Sequence, residues 1–197
     1  VYSDSIIWGF TQDHLNGTGC MDLGDILVMP STGKRTRSWD GYRSRFNKAQ
    51  EIATPGYYSV YLSDAKVKAE LTASPHVAFH RYTYDSTDST SVLIDLQHGP
   101  AWNDKQYHSQ VNVCDTRWED AYTLVGHVQN TVWVKQDYFF VLKFTRPVAS
   151  HIKLAKAADT EKGHRIVATF DGIGLGEQLL MKVAISTTSI DGAKKNL

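Results

Sequence analysis

Apolar and polar residues alternate along several stretches of this chain with a period of two, which is the period of a β-strand that buries one face. In residues 65–73, Ala65, Val67 and Ala69 alternate with lysines and Glu70. Residues 76–84 alternate in the same way, and other stretches are apolar almost throughout. We expect further strands at residues 26–29, 57–62, 91–96, 110–114, 122–129, 138–145, 165–170 and 179–188.

The connecting stretches carry turn residues, and only the C-terminus looks helical. There Ser189 is a suitable N-cap for a helix that continues to Leu197. Many strands at short spacing with so little helix predict an all-β antiparallel sandwich. We therefore divide the chain into a β-sandwich domain at residues 1–188 and the start of a linker or helix at residues 189–197.

Composition narrows the class of protein. The 197 residues are 42% hydrophobic, which suits one large all-β domain. Lysines and arginines number 21 and so do the acids, and a balanced charge argues against a nucleic-acid-binding protein. No apolar run approaches the ~20 residues of a membrane span. The sequence also carries no signal-peptide pattern.

The polar segment at residues 9–25, GFTQDHLNGTGCMDLGD, interrupts the strand pattern. It combines acids, a histidine, a cysteine and several glycines, and it has no strand alternation before residue 26. Ionisable groups clustered in a shaped loop favour a site for a proton, a metal or a sugar hydroxyl. The glycines let a ligand approach the backbone closely. A structural glycine-rich turn with solvent-facing acids is the alternative interpretation.

A second candidate lies in the turn-rich stretch around Trp39 and Asp40. An aromatic ring beside a carboxylate suits the C–H face and the hydroxyls of a sugar. The alternative is plain packing, because aromatic side chains often fill cores.

Other motifs are weak. The glycines at positions 172, 174 and 176 lack the Lys-Ser/Thr of a phosphate loop. The eight histidines show no zinc-ligand spacing, so we predict no metal site. Cys20 and Cys114 allow at most one disulfide, and the sequence does not fix the distance between them.

The segment at residues 9–25 resembles the N-terminal domain signature of glycoside hydrolase family 92, the calcium-dependent exo-acting α-mannosidases. Further stretches match in the same order: EIATPGYYSV at residues 51–60, ELTA at 70–73, FHRY at 79–82, and VAIS at 183–186 followed by Ser189, Ile190, Asn196 and Leu197. Lys48 departs from the pattern, because it stands where the family usually has a histidine. An ammonium cannot replace a neutral imidazole as a hydrogen-bond acceptor, so we assign this position no role.

The resemblance implies a two-domain enzyme. Its N-terminal domain would be an antiparallel supersandwich similar to galactose mutarotase-like domains, here lacking its first strands. A following (α/α)6 domain would carry the general acid, the general base and most calcium ligands for inverting hydrolysis. The resemblance therefore places no catalytic residue in this chain, and no calcium is expected to be held by this chain alone. It also implies a secreted, periplasmic or cell-surface enzyme acting on glycans such as N-glycans.

In this interpretation the chain lends a loop to the subsite for a terminal α-mannose. Gly19 and Cys20 would offer backbone groups, while His14 and Asp22 would form hydrogen bonds. Trp39, beside Asp40, would offer a stacking face. The expected partners are a carbohydrate and the C-terminal helical domain of the same polypeptide, and we expect the chain alone to be inactive.

Two other functions are compatible with the sequence. A stand-alone mutarotase-like enzyme needs a histidine and a carboxylate that face each other across a cleft, and His14, His76 and His80 are its candidates. A carbohydrate-binding module would bind a sugar without either activity.

Overall fold

The computed structural model describes residues 4–13, 23, 25–37, 41–99, 101–102, 107–108, 110–131, 133–154 and 163–197, with the backbone alone at 37, 101–102 and 107–108. Its strands are β1 (Ile6–Ile7), β2 (Leu27–Thr32), β3 (Ser44–Arg45), β4 (Ile52–Thr54), β5 (Tyr57–Leu62), β6 (Val67–Ser74), β7 (Val77–Tyr84), β8 (Thr90–Asp95), β9 (Ala101–Trp102), β10 (Tyr107–His108), β11 (Gln110–Trp118), β12 (Thr123–Thr131), β13 (Lys135–Phe144), β14 (Ser150–Leu154), β15 (Arg165–Phe170) and β16 (Gln178–Ser186). Short 3-10 helices span Arg35–Arg37 and Lys48–Gln50, and helix α1 spans Ile190–Asn196.

Two antiparallel sheets form the sandwich. The larger sheet has eight strands in the order β11-β12-β13-β16-β7-β6-β5-β4, and the smaller has four in the order β14-β15-β8-β2. Val28 and Ile94 of the smaller sheet and Tyr82 and Phe140 of the larger sheet are fully buried in one shared core. The predicted all-β supersandwich is therefore confirmed.

The sequence predicted the longer strands but not β1, β3, β4, β9, β10 or β14. The strands Tyr57–Leu62 and Arg165–Phe170 have the predicted bounds. Glu70 differs from the expectation of a solvent-facing residue, because it is only 7% exposed. Arg81 and Tyr57 cover its carboxylate, and they donate hydrogen bonds of 2.7–2.8 Å to it.

Helix α1 begins as the sequence predicts, because the Ser189 hydroxyl accepts a hydrogen bond of 2.9 Å from the backbone of Gly192. Ala193 is fully buried and packs with Val125 and Val141 against the outer face of the larger sheet. A Cβ on Gly192 would lie 2.6 Å from the Ser186 hydroxyl and 2.9 Å from the Thr188 hydroxyl, so a larger residue would displace these side chains.

Cross-strand register defines two ends of the smaller sheet. Leu27, Asp95 and Arg165 are aligned at one end, which we call the Asp95 end. Ser31, Ser91 and Thr169 are aligned near the other, together with Ser150. The chain enters β2 and leaves β8 at the Asp95 end, so the segment at residues 9–25 joins the sandwich there.

Candidate functional site

The residues predicted to bind a sugar, His14, Gly19, Cys20, Asp22, Trp39 and Asp40, lie outside the residues that the structure describes. Their described neighbours reveal how the sandwich holds the chain on either side of them.

Backbone and side-chain bonds close the base of the predicted loop. Phe10 and Val28 exchange backbone hydrogen bonds of 2.9 Å, and the backbone N–H of Gln12 donates to the carbonyl of Asp25 at 3.3 Å. The backbone N–H of Asp25 donates to the Asp13 carboxylate at 2.7 Å. Asp13 and Asp25 therefore hold together the two chain segments that lead into residues 14–24.

The Asp25 carboxylate ties this base to the larger sheet. It is 1% exposed and accepts a hydrogen bond from the amide of Asn130 on β12, 105 positions further along the chain. Leu23 and Ile26 beside it have left-handed backbones with φ of 65° and 53°. This conformation costs a side-chain-bearing residue roughly 1–3 kcal/mol and occurs frequently at functional sites. We call Asp13, Asp25 and Asn130 the loop clamp.

His80 lies beneath the clamp as a buried, neutral residue. The side-chain nitrogen of Gln12 donates to the Phe10 carbonyl at 2.8 Å. The side-chain oxygen of Gln12 therefore accepts a hydrogen bond from His80 Nε2 at 3.1 Å. His80 Nδ1 then accepts from the Tyr82 hydroxyl at 2.9 Å. Burial lowers the pKa of His80 to about 3. Its partners are the Gln12 amide and the Tyr82 phenol, so His80 supports Gln12. Among the described residues, no carboxylate forms a hydrogen bond to His80, as a mutarotase-like mechanism would need.

A buried ion pair holds the Asp95 end. Arg165 Nε lies 2.7 Å from Asp95 Oδ2, and the two side chains are 10% and 1% exposed. The other Asp95 oxygen accepts backbone hydrogen bonds from Gln97 and His98 at 2.9 and 3.1 Å. The Arg165 guanidinium lies 5.0 Å from the ring centre of Tyr42. Tyr42 anchors the stretch that follows Trp39 and Asp40, so the ion pair fixes the chain close to both predicted sugar-binding segments.

His164 forms a second buried polar group at this end. Its ring nitrogens contact the Cys114 thiol at 3.3 Å and the Thr116 hydroxyl at 3.0 Å. Burial lowers the pKa of His164 to about 4 and raises the pKa of Cys114 to about 11. The pair is therefore a neutral thiol and a neutral imidazole, which is unsuited to nucleophilic attack. Cys114 carries a free thiol.

The described residues hold no metal-binding constellation. They contain no group of three or more His, Cys, Asp or Glu side chains that could hold a metal ion. Calcium therefore has no fitting ligand set in the described part of the chain, and we derive no step through it. No described helix has the length and apolar character needed to cross a membrane.

Sequence reasoning missed Asp95, Arg165, His164 and Asn130 as determinants of this end. A local signal existed for Asp95, because an acid closes the otherwise apolar run SVLID. Likewise, His164 and Arg165 open the apolar strand that pairs with it. The partners themselves come from distant parts of the sequence and carry no spacing signal.

The architecture defines an antiparallel β-sandwich domain with a buried ion pair, Asp95–Arg165, at one end of its smaller sheet. Residues 1–186 match the model of the glycosyl hydrolase family 92 N-terminal domain. The chain therefore belongs to this family.

Solved structures agree with this membership. The chain is similar to the family GH92 alpha-mannosidase BT3965 from Bacteroides thetaiotaomicron, with 28% identity and a TM-score of 0.84 over 99% of this chain and 28% of that one. A complex of the same enzyme with mannoimidazole gives a TM-score of 0.83.

Two further structures extend the likeness. The GH92 family glycosyl hydrolase ccman5 gives 25% identity and a TM-score of 0.79, over 98% of this chain and 28% of that one. The inverting mannosidase BT2199 from Bacteroides thetaiotaomicron VPI-5482 shares the fold at 22% identity, with a TM-score of 0.76 over 99% of this chain and 26% of that one. No curated protein matches the sequence. The chain thus spans about a quarter of the length of the solved relatives.

Proposed function

We propose that this chain is the carbohydrate-binding N-terminal domain of an α-mannosidase. It contributes the loop at residues 14–25 to the terminal-mannose subsite of an inverting glycoside hydrolase. The observation that carries the proposal is the loop clamp, which fixes the base of the segment that resembles the family signature. The likeness to BT3965, an alpha-mannosidase solved with mannoimidazole, supports a mannose-like ligand.

Each predicted residue has a distinct role in this subsite. The backbones of Gly19 and Cys20 approach the sugar, and His14 and Asp22 bond its hydroxyls. Trp39 stacks on the C–H face of the ring, with Asp40 beside it. The carboxylates of Asp13 and Asp25 act as positioning groups, because the clamp already engages both of them.

Catalysis belongs to a further helical domain in this proposal. Inverting hydrolysis needs one carboxylic acid to protonate the leaving oxygen and one carboxylate to activate water, on opposite faces of the sugar and about 6.5–9.5 Å apart. The family resemblance assigns this pair, and the calcium ligands, to the domain after residue 197. The complete enzyme then acts outside the cytoplasm on glycans that end in α-mannose.

Calorimetric titration of the chain with methyl α-mannoside tests the binding role. We expect saturable binding that His14→Ala weakens about three- to tenfold, the loss of one or two hydrogen bonds to the sugar. His76→Ala is the matched control, because His76 is an exposed histidine on the turn between β6 and β7. Equal affinities for the wild type and His14→Ala would contradict the proposed subsite.

A hydrolysis assay separates the proposed domain from a self-contained enzyme. The purified chain should release no mannose from an α-mannoside. Release that is abolished by a substitution within the chain would contradict the assignment of acid and base to another domain. Exchange between sugar anomers catalysed by the chain would favour the mutarotase-like alternative instead.

A further inference from the structure

A cleft of about 440 Å³ lies away from the loop clamp, where the end of β11 meets the start of β14. Its lining includes Trp118, Asp120, Val148, Ser150 and His151. The volume falls within the ~300–1,000 Å³ range of small-molecule sites, so it is large enough for a single sugar ring.

An aromatic stack forms one wall of the cleft. The imidazole of His151 lies parallel to the indole of Trp118, with ring centres 5.0 Å apart and an interplanar angle of 13°. Phe144 stacks on Trp118 at 6.5 Å and meets Phe170 edge to face at 4.8 Å. The stack thus extends from the buried side chains of Phe170 and Phe144 through Trp118 to the exposed His151. Packing in the core holds the two phenylalanines in place.

Polar groups with unused hydrogen-bonding capacity surround this wall. Within the described part of the chain, the Ser150 hydroxyl, the His151 ring nitrogens and the Trp118 indole N–H form no hydrogen bond. Asp120 accepts the backbone N–H of Tyr122 at 2.7 Å, which lowers the pKa of its carboxyl. An ionised carboxylate, a hydroxyl and ring nitrogens offer both acceptors and donors to a ligand rich in hydroxyl groups.

The backbone around the cleft is cross-linked. Val148 donates to the carbonyl of Ala121 at 2.7 Å, and Phe144 donates to the carbonyl of Tyr122 at 2.9 Å. The backbone N–H of Glu119 donates to the carbonyl of Thr123 at 2.9 Å, and this bond closes the turn between β11 and β12. The cleft is therefore formed before any ligand arrives, and binding requires little ordering of the chain.

This cleft is separate from the loop clamp. Leu124, which pairs with Trp118, and the clamp residue Asn130 lie on the same strand. Their spacing along β12 corresponds to about 20 Å. One sugar ring cannot contact both places.

We infer that this cleft is a second carbohydrate-binding site, which takes one hexopyranose ring against the Trp118–His151 stack. The C–H groups of the ring pack on the aromatic wall, and its hydroxyls bond Ser150, His151 and Asp120. The site adds a contact for a longer or branched glycan, whatever the outcome at the predicted mannose subsite.

NMR of the ¹⁵N-labelled chain tests this inference, because each tryptophan gives its own indole N–H signal. The signal missing from Trp118→Phe identifies Trp118. During titration with the methyl glycosides of mannose, glucose and galactose, we expect the Trp118 signal to shift saturably with at least one of them. His151→Ala should weaken that binding about three- to tenfold, the value of one aromatic contact. His76→Ala should leave it unchanged.

The outcomes separate the two sites. No Trp118 shift with any of the glycosides overturns the second site, as does a shift that His151→Ala leaves unaltered. A Trp118 shift without any effect of His14→Ala on mannose affinity supports the second site and contradicts the proposed mannose subsite. Circular dichroism of each variant verifies that it is folded.

Discussion

Charged residues occur in two contrasting settings, the Asp95 end and the outer face of the larger sheet. At the Asp95 end, the Asp95–Arg165 ion pair is almost completely removed from water. On the outer face, Glu70 is covered, but its partner Arg81 leaves 45% of its side chain exposed. Water screens the charges of the Glu70–Arg81 pair. The charges of the Asp95–Arg165 pair are shielded from water, so each depends on the groups that contact it. The buried set stabilises the backbone that carries the proposed sugar loop, whereas the exposed set covers a sheet face.

The largest loss in the free energy of unfolding should follow removal of one partner of the buried Asp95–Arg165 pair. Asp95→Ala removes the buried carboxylate that pairs with Arg165 and the acceptor for two backbone amides. We expect a loss of about 3–5 kcal/mol in the free energy of unfolding. Urea denaturation followed by fluorescence measures it. Asp85→Ala, at an exposed acid that accepts a bond from Tyr61, is the control and should cost about 1 kcal/mol or less. Equal losses would remove the distinction between the two settings.

The buried histidines and the outer-face pair should also lose their stabilising effects in different pH ranges. Burial lowers the pKa of His80 from 6.5 to about 3. As the pH falls, the unfolded chain therefore takes up the proton first. The stability contributed by neutral His80 is fully present above pH 6.5 and is lost between pH 6.5 and about 3, by up to ~1.4 kcal/mol per pH unit. His164 acts in the same direction, with a pKa lowered to about 4.

Glu70 behaves differently, because Arg81 lowers its pKa from 4.5 to about 2. Its contribution is present above pH 4.5 and is lost between pH 4.5 and about 2. Urea denaturation at a series of pH values distinguishes the ranges. His80→Gln should flatten the curve between pH 6.5 and 4.5, and His76→Gln should not. An unchanged slope in His80→Gln would contradict the buried neutral state.

Substitution in the loop clamp should cause an intermediate loss in the free energy of unfolding. Asn130→Ala removes the donor to the buried Asp25 carboxylate. We expect a loss of about 1–3 kcal/mol in the free energy of unfolding, the value of a hydrogen bond to a buried charged group. Asn112→Ala is a matched control on the neighbouring strand, because the Asn112 amide donates to the Thr131 hydroxyl rather than to a carboxylate. A larger loss for Asn112→Ala in urea denaturation would argue against the clamp.

The smallest effect is expected on the outer face. Glu70→Gln keeps the size of the side chain and a hydrogen-bond acceptor for Tyr57, but removes the charge that Arg81 pairs with. Because Arg81 is well exposed, we expect a loss of about 1 kcal/mol or less at neutral pH. High salt should reduce this difference further. A loss as large as that of Asp95→Ala would contradict the assumed screening.

The sequence predicted the fold better than it predicted the site. Strands such as Tyr57–Leu62 and Arg165–Phe170 follow from alternation or apolar runs, which are local signals. Strand β14 was missed because four of its five residues are exposed, while Leu154 packs against the core. An edge strand with so little buried surface produces no alternation of apolar and polar residues.

The polar groups of the Asp95 end could not be predicted for a different reason. Their pairing depends on cross-strand register and on contacts between the two sheets, such as the bond from Asn130 to Asp25 over 105 positions. The resemblance of residues 9–25 identified the correct family, and the family model matches residues 1–186. The sugar-binding roles of His14, Gly19, Cys20, Asp22, Trp39 and Asp40 remain predictions.

The most direct test of the account measures how the two settings affect sugar binding. The affinity for methyl α-mannoside is compared, by calorimetric titration, between the wild type, Asn130→Ala and Glu70→Gln. We expect Asn130→Ala to weaken the affinity about three- to tenfold, because the clamp holds the loop in its binding conformation. Glu70→Gln should bind as the wild type does. Unchanged affinity in Asn130→Ala, or an equal loss in both variants, would contradict the claim that the buried polar groups position the mannose site.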